Sequence, residues 1–192
     1  MYLISIYFDE KTENRLRGFI KSVAHATGNT FMLDNHVPPH ITVAAVETKH
    51  EDLLLICVEE IVKKFGIGDI QFVSVGTFAS QVIFVQPVLN EYLHKMVEKF
   101  TQELGQIDET ILRSNYQPFS WLPHCTIGKQ LSKEQMLQAF DMMQKQFVPM
   151  NGNVVRIGVA KTNPHRDIKV WELDGDCFFN LFDSKTDFNG VQ

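Results

Sequence analysis

"PPHITV" at residues 38–43 and "PHCTI" at residues 123–127 are one pattern written twice in a chain of 192 residues. Each reads Pro-His-x-Thr-apolar. With seven histidines in the chain, the accidental expectation for Pro-His-x-Thr is roughly 0.015 per sequence, so two copies demand a cause. "NPHRDI" at 163–168 serves as a control, because its Pro-His has no hydroxyl two residues later.

On a strand, residues i and i+2 face the same way. His40 and Thr42 therefore share one face, while Ile41 and Val43 point into the core. His124 and Thr126 share a face in the same manner, opposite Cys125 and Ile127. Pro39 and Pro123 suit the first strand position, where the missing N–H costs least. Each motif is a short ledge presenting an imidazole beside a hydroxyl.

Working outward, the same order of elements surrounds each copy. "YLISIYF" (2–8) reads as a buried strand, and "DEKTENRLRGFIKSVAHAT" (9–27) as a helix with apolar positions at Leu16, Phe19, Ile20 and Val23. The motif strand 40–46 is followed by a helix over 50–66, closed by Gly66, and by a strand over 69–79. The order then restarts: strand 81–87, helix 90–105 ending at Gly105, motif strand 124–128, helix 132–147 with Ser132 as N-cap, and strand 153–162. A further strand covers 167–175. These β-α-β-α-β units predict a single bilobal domain over 1–175, with a first unit of about 1–80 and a second of about 81–175. The connection 106–122 breaks the symmetry, and 176–192 reads as a partly disordered C-terminal tail.

Composition narrows the class. Apolar residues make up 44% and charged residues 21%, an ordinary globular balance. No apolar window reaches the length of a membrane span, and the N-terminus lacks the basic start of a signal peptide. Cys57, Cys125 and Cys177 form no C-x-x-C pair and fit a reducing cytoplasm. The net charge of −5 and the lack of a basic stripe argue against a DNA duplex as partner. A nucleotide ligand would be small, or a chain end.

Two imidazoles facing each other across a cleft suit displacement at phosphorus. One takes a proton from the incoming oxygen and the other gives one to the leaving oxygen. The two hydroxyls hold the non-bridging oxygens. Zinc chemistry finds no H-x-H, H-E-x-x-H or paired C-x-x-C, so no metal and no cofactor is expected. Cys125 is turned from the cleft by strand parity. Lys129, three residues after Thr126, is a candidate phosphate contact. Tyr116, Phe119 and Trp121 are candidates for stacking a base, and His36 is a candidate lining residue. His25, His50 and His94 read as surface.

With both motifs placed, the chain resembles the 2H phosphoesterase superfamily, the group of 2′-5′ RNA ligase-like proteins and cyclic nucleotide phosphodiesterases. The resemblance rests on "PHITV" at 39–43, "PHCTI" at 123–127 and the order of elements around them, over about residues 1–175. It implies an α+β fold in which two antiparallel sheets line a central cleft with helices on the outer faces. It also implies metal-independent opening of 2′,3′-cyclic phosphates, with His40 and His124 as acid and base and Thr42 and Thr126 binding phosphate. Several relatives carry a basic residue where Lys129 stands. The expected partner is a small nucleotide or an RNA-terminal cyclic phosphate, acted on by a monomer. The alternatives are RNA-end processing, by 2′-5′ ligation or exonucleolytic trimming, and a non-catalytic nucleotide-binding sensor.

Overall fold

Asp9 ends the first strand and starts the first helix. Its carboxylate accepts from the Thr12 backbone N–H at 2.8 Å and the Thr12 hydroxyl at 3.1 Å, which satisfies an orphan donor of the first turn. The computed structural model describes residues 1–79, 81–162 and 166–175, so the expected tail 176–192 and His165 lie outside the described residues. The strands are β1 (Tyr2–Phe8), β2 (Ile41–Glu47), β3 (Gly68–Phe78), β4 (Val82–Pro87), β5 (Ile111–Leu112), β6 (Cys125–Lys129), β7 (Met150–Lys161) and β8 (Arg166–Glu172). The helices are α1 (Glu10–Thr27), α2 (Phe31–Asp34), α3 (Glu51–Val62), α4 (Glu91–Leu104) and α5 (Lys133–Gln146). Among the described residues no helix is long and apolar enough to cross a membrane.

Every ladder is antiparallel. The strand order is β1-β2-β6-β4-β3-β7-β8, and a further β1–β7 pairing closes β1, β2, β6, β4, β3 and β7 into a ring. The α+β class is as expected, but the two anticipated sheets are joined into one eight-stranded network. The physical reason is the length of β7. One edge bonds β1 along most of its course, while the other takes β3 at its start and β8 at its end. Exchanging β1 with β4, β2 with β6 and β3 with β7 leaves the ring's pairings unchanged. The two halves of the sequence are therefore interleaved: β3 bonds β4, and β7 bonds β1.

Helices α1, α3, α4 and α5 pack their apolar faces on this network. α1 buries Leu16, Phe19, Ile20 and Val23, the residues its 3.6-residue period selects, and packs on α5, as α3 packs on α4. Burial of each such side chain contributes about 1.5–3 kcal/mol. Ser132 caps α5 in a full capping box, with Gln135 returning the bond. Two helix ends differ from the sequence reading. α3 stops at Val62, capped by Lys63, four residues short of Gly66, and Gly105 follows α4 in a right-handed conformation. Among the described glycines only Gly28 takes a positive φ, 69°, and it ends α1. The connection 106–122 is anchored by β5, which extends the edge of β2.

Candidate active site

β2 and β6 meet at one residue pair, Ile41 against Cys125. Each is the residue that follows a motif histidine. Carrying the antiparallel register one step either way sets His40 opposite Thr126 and Thr42 opposite His124. The two histidines are then diagonal neighbours on one face, about 7–8 Å apart by sheet geometry and somewhat less between Cβ atoms.

Both rings are held alike. His40 Nδ1 lies 2.7 Å from the Pro38 carbonyl oxygen, and His124 Nδ1 lies 2.8 Å from that of Leu122. A carbonyl only accepts, so Nδ1 carries the proton in both rings. Nε2 is the nitrogen left to gain or lose one. The prolines place these carbonyls by fixing φ just before each strand.

A β-bulge follows each threonine. The β1–β2 register passes from Ile4↔Ala44 to Ser5↔Thr42, leaving Val43 without a partner. The β4–β6 register passes from Ile83↔Gly128 to Phe84↔Thr126, leaving Ile127 without one. A bulge reverses the alternation beyond it. An unbroken strand would send Lys129 to the core with Cys125. Instead Lys129 pairs with Val82, and both line the cleft.

The cleft has a volume of about 550 Å³ and is lined by His40, Thr42, His124, Thr126, Lys129 and Tyr116. Phe31, Phe78, Asn35 and Gln130 join them, and none of these four was singled out with the motifs. No carboxylate is among the described lining residues, although the chain is acidic overall.

The two histidines stand in different surroundings. His124 is set edge-on to Phe78, with centroids 4.7 Å apart and planes at 88°, and lies 5.3 Å from the Phe84 ring. Burial among these rings pulls its pKa below the ordinary 6.5, partly offset by the Leu122 carbonyl. Gly76 makes the room, since a Cβ there would meet the Phe84 ring at 2.5 Å. His40 lies 6.4 Å from the Tyr7 ring, whose hydroxyl donates to Asp167 at 2.7 Å and whose face meets Arg156. Ser5, fully buried, lies 3.4 Å from the Thr42 hydroxyl. A lone serine inside the apolar run "YLISIYF" was the signal available for it.

Some expected residues lie elsewhere. Trp121 is buried at 7% exposure and its indole N–H donates to the Thr42 carbonyl at 3.0 Å. It supports β2 from the core and offers no face to a base. Phe119 is 93% exposed and packs on His94, away from the cleft lining. His36 is exposed and turned onto the Leu33 carbonyl. His94 faces Glu98, and His50 faces Glu109. Cys125 is wholly buried, and burial pushes its thiol up to about 12. Among the described residues no cluster of three metal-ligating side chains occurs.

A family model described as the 2′-5′ RNA ligase superfamily matches residues 12–166. By sequence, no curated protein matches the chain. Among solved structures, TT0787 of Thermus thermophilus is similar with a TM-score of 0.62 at 11% identity, over 91% of this chain and 98% of that one. E. coli LigT complexed with NADP+ gives 0.53 at 12% identity, over 90% and 96%. E. coli LigT complexed with 3′-AMP gives 0.50 at 11% identity, over 90% and 97%. These structures share the fold, and the family model covers both motifs and the strands between them. The chain belongs to the 2′-5′ RNA ligase superfamily, the 2H phosphoesterases.

Proposed function

We propose that the protein is a phosphodiesterase that opens a 2′,3′-cyclic phosphate on a nucleotide or RNA end by two-histidine acid–base catalysis. The observation that carries this reading is the pair of His–Thr ledges meeting at Ile41 and Cys125 in a cleft without carboxylates. Carboxylates would repel a phosphodiester, whereas hydroxyls and a lysine attract it. The described lining supplies two imidazoles and neither a carboxylate nor a thiol, fewer ligands than the three or four that hold zinc, which favours a metal-independent reaction. LigT binds 3′-AMP and NADP+, and a cleft of about 550 Å³ suits a ligand of nucleotide size.

The asymmetry of the histidines supports a division of roles. Burial among aromatic rings favours the neutral form of His124, which suits it to serve as base. Its Nε2 takes a proton from water as the water oxygen bonds to phosphorus. The opposite P–O bond breaks, and His40 Nε2–H protonates the departing ribose oxygen. Thr42 and Thr126 donate to the non-bridging oxygens, where charge builds. The product is a phosphomonoester beside a free hydroxyl, and proton exchange with solvent resets the pair.

The test is hydrolysis of 2′,3′-cyclic mononucleotides by the full chain in EDTA, against its His124→Ala variant. Turnover that survives EDTA and is lost in the variant supports the reading. Turnover abolished by EDTA, or retained in the variant, overturns it. Joining of RNA ends without cyclic phosphate opening would favour ligation, and mononucleotide binding without turnover would favour a sensor.

A further inference from the structure

Ser5 is a polar exception inside β1. Its neighbours Ile4 and Ile6 are wholly buried, and Ser5 itself is 0% exposed. A buried hydroxyl is costly unless it is hydrogen-bonded, so its partner is informative. Across the β1–β7 ladder Ser5 faces Gly158, which has no side chain to offer. Across the β1–β2 ladder it faces Thr42. Among the described residues the Thr42 hydroxyl, at 3.4 Å, is the one hydrogen-bond partner of the Ser5 side chain.

Proton count sets the direction of that bond. A hydroxyl carries one proton and two acceptor lone pairs. Once Thr42 donates its proton to a phosphate oxygen it has none left for Ser5, so the Ser5 O–H must donate to the Thr42 oxygen. The bonds then run from Ser5 to Thr42 to phosphate, and each polarises the next. At 3.4 Å the hydroxyl pair is longer than the usual O–H···O limit of roughly 3.0 Å. It can shorten as charge gathers on the phosphate oxygens and draws on the Thr42 proton. A bond that strengthens in this way favours the transition state over the bound substrate. Thr126 has no such support, because the residue paired with it is Phe84, whose ring offers no donor.

We propose that Ser5 is a positioning residue for Thr42: its O–H donates to the Thr42 oxygen, aims the Thr42 O–H at the phosphate and makes Thr42 the stronger of the two threonine donors. The proposal rests on the phosphodiesterase reading above. Ser5 is fully buried, so it touches no substrate and acts through Thr42 alone.

The experiment measures kcat, KM and melting temperature for a 2′,3′-cyclic mononucleotide with Ser5→Ala placed in three backgrounds: wild type, Thr42→Val and Thr126→Val. In wild type Ser5→Ala should lower kcat by about three- to tenfold, the scale of one neutral hydrogen bond, with KM little changed. The same loss should recur in Thr126→Val and vanish in Thr42→Val. Ser5→Cys, which keeps a weaker donor, should fall between serine and alanine. An unchanged kcat in Ser5→Ala, or an equal loss in both threonine backgrounds, overturns the proposal. If Ser5→Ala melts below the assay temperature, Ser5→Cys carries the same comparison: a loss absent only from Thr42→Val supports the proposal, and any other pattern overturns it. If wild type opens no cyclic phosphate, the phosphodiesterase reading fails instead. Titration with inorganic phosphate then decides: weaker binding in Ser5→Ala that disappears in Thr42→Val supports the role of Ser5, and equal affinities overturn it.

Discussion

Ser5 and Phe84 stand in matching places, each paired across its ladder with a motif threonine, Ser5 with Thr42 and Phe84 with Thr126. Beneath Thr42 this puts a buried hydroxyl at 3.4 Å. In the other half it puts an aromatic ring 5.3 Å from His124. A site symmetric in its motifs is thereby made asymmetric in its surroundings, and the two histidines are no longer interchangeable.

The pH dependence should report this. His124 must be neutral to act as base, so the acid limb of kcat/KM is expected below the ordinary 6.5. Phe78→Gln admits water beside the imidazole and should move that limb upward. The same group ties stability to pH: the unfolded chain takes up its proton near 6.5, while folded His124 resists it. The stability present above that pH is therefore lost as pH falls through the lowered folded value. An acid limb that does not move in Phe78→Gln would remove the aromatic cause.

Loss of either imidazole should be severe. His40→Ala and His124→Ala are each expected to lower kcat/KM for cyclic phosphate opening by about 10²–10⁴. The double variant should lose much less than the product of the two, because acid and base act in one step. Losses that multiply would show independent roles.

Gly76→Ala probes the wall behind His124. The added methyl meets the Phe84 ring at 2.5 Å, and Phe84 is buried with little room to yield. Destabilisation of about 1–3 kcal/mol is expected, with a fall in kcat as the ring shifts against His124. Gly158→Ala, in the matching place opposite Ser5, meets Tyr7 at 2.8 Å and should disturb the His40 side. Thermal melts with kinetics on both variants would check this; an unaltered Gly76→Ala protein would contradict the packing.

Trp121 separates support from recognition. Trp121→Phe removes the donor to the Thr42 carbonyl and should cost about 1–3 kcal/mol of stability through an unpaired buried group. The ratio of kcat/KM between substrates with purine and pyrimidine bases should not change. A changed ratio would place the indole against the base.

Cys125 is expected to be chemically silent. Its thiol is fully buried and pushed up to about 12, so iodoacetamide should leave it unmodified in the folded protein. Cys125→Ala should retain kcat within a few-fold while lowering the melting temperature. A loss of catalysis comparable with the histidine variants would mean that the thiol takes part.

Much of this was legible in the chain. The period of 2 in a strand selected His40, Thr42, His124 and Thr126 as cleft-facing and Cys125 as core, and all five stand so. The 3.6-residue period selected the buried face of α1, and Ser132 announced α5. These signals are local: they depend on neighbours within a turn or two, which the sequence displays. Tertiary structure decided the rest. Lys129 enters the cleft only because a bulge at Ile127 reverses strand parity, and that bulge is a mismatch of register with β4, a strand far earlier in the sequence. Trp121 is drawn under Thr42, and Phe78 and Phe84 close around His124, through contacts between strands that no local spacing encodes. The motif fixed which side chains face the cleft, and the register of distant hydrogen bonds fixed their company.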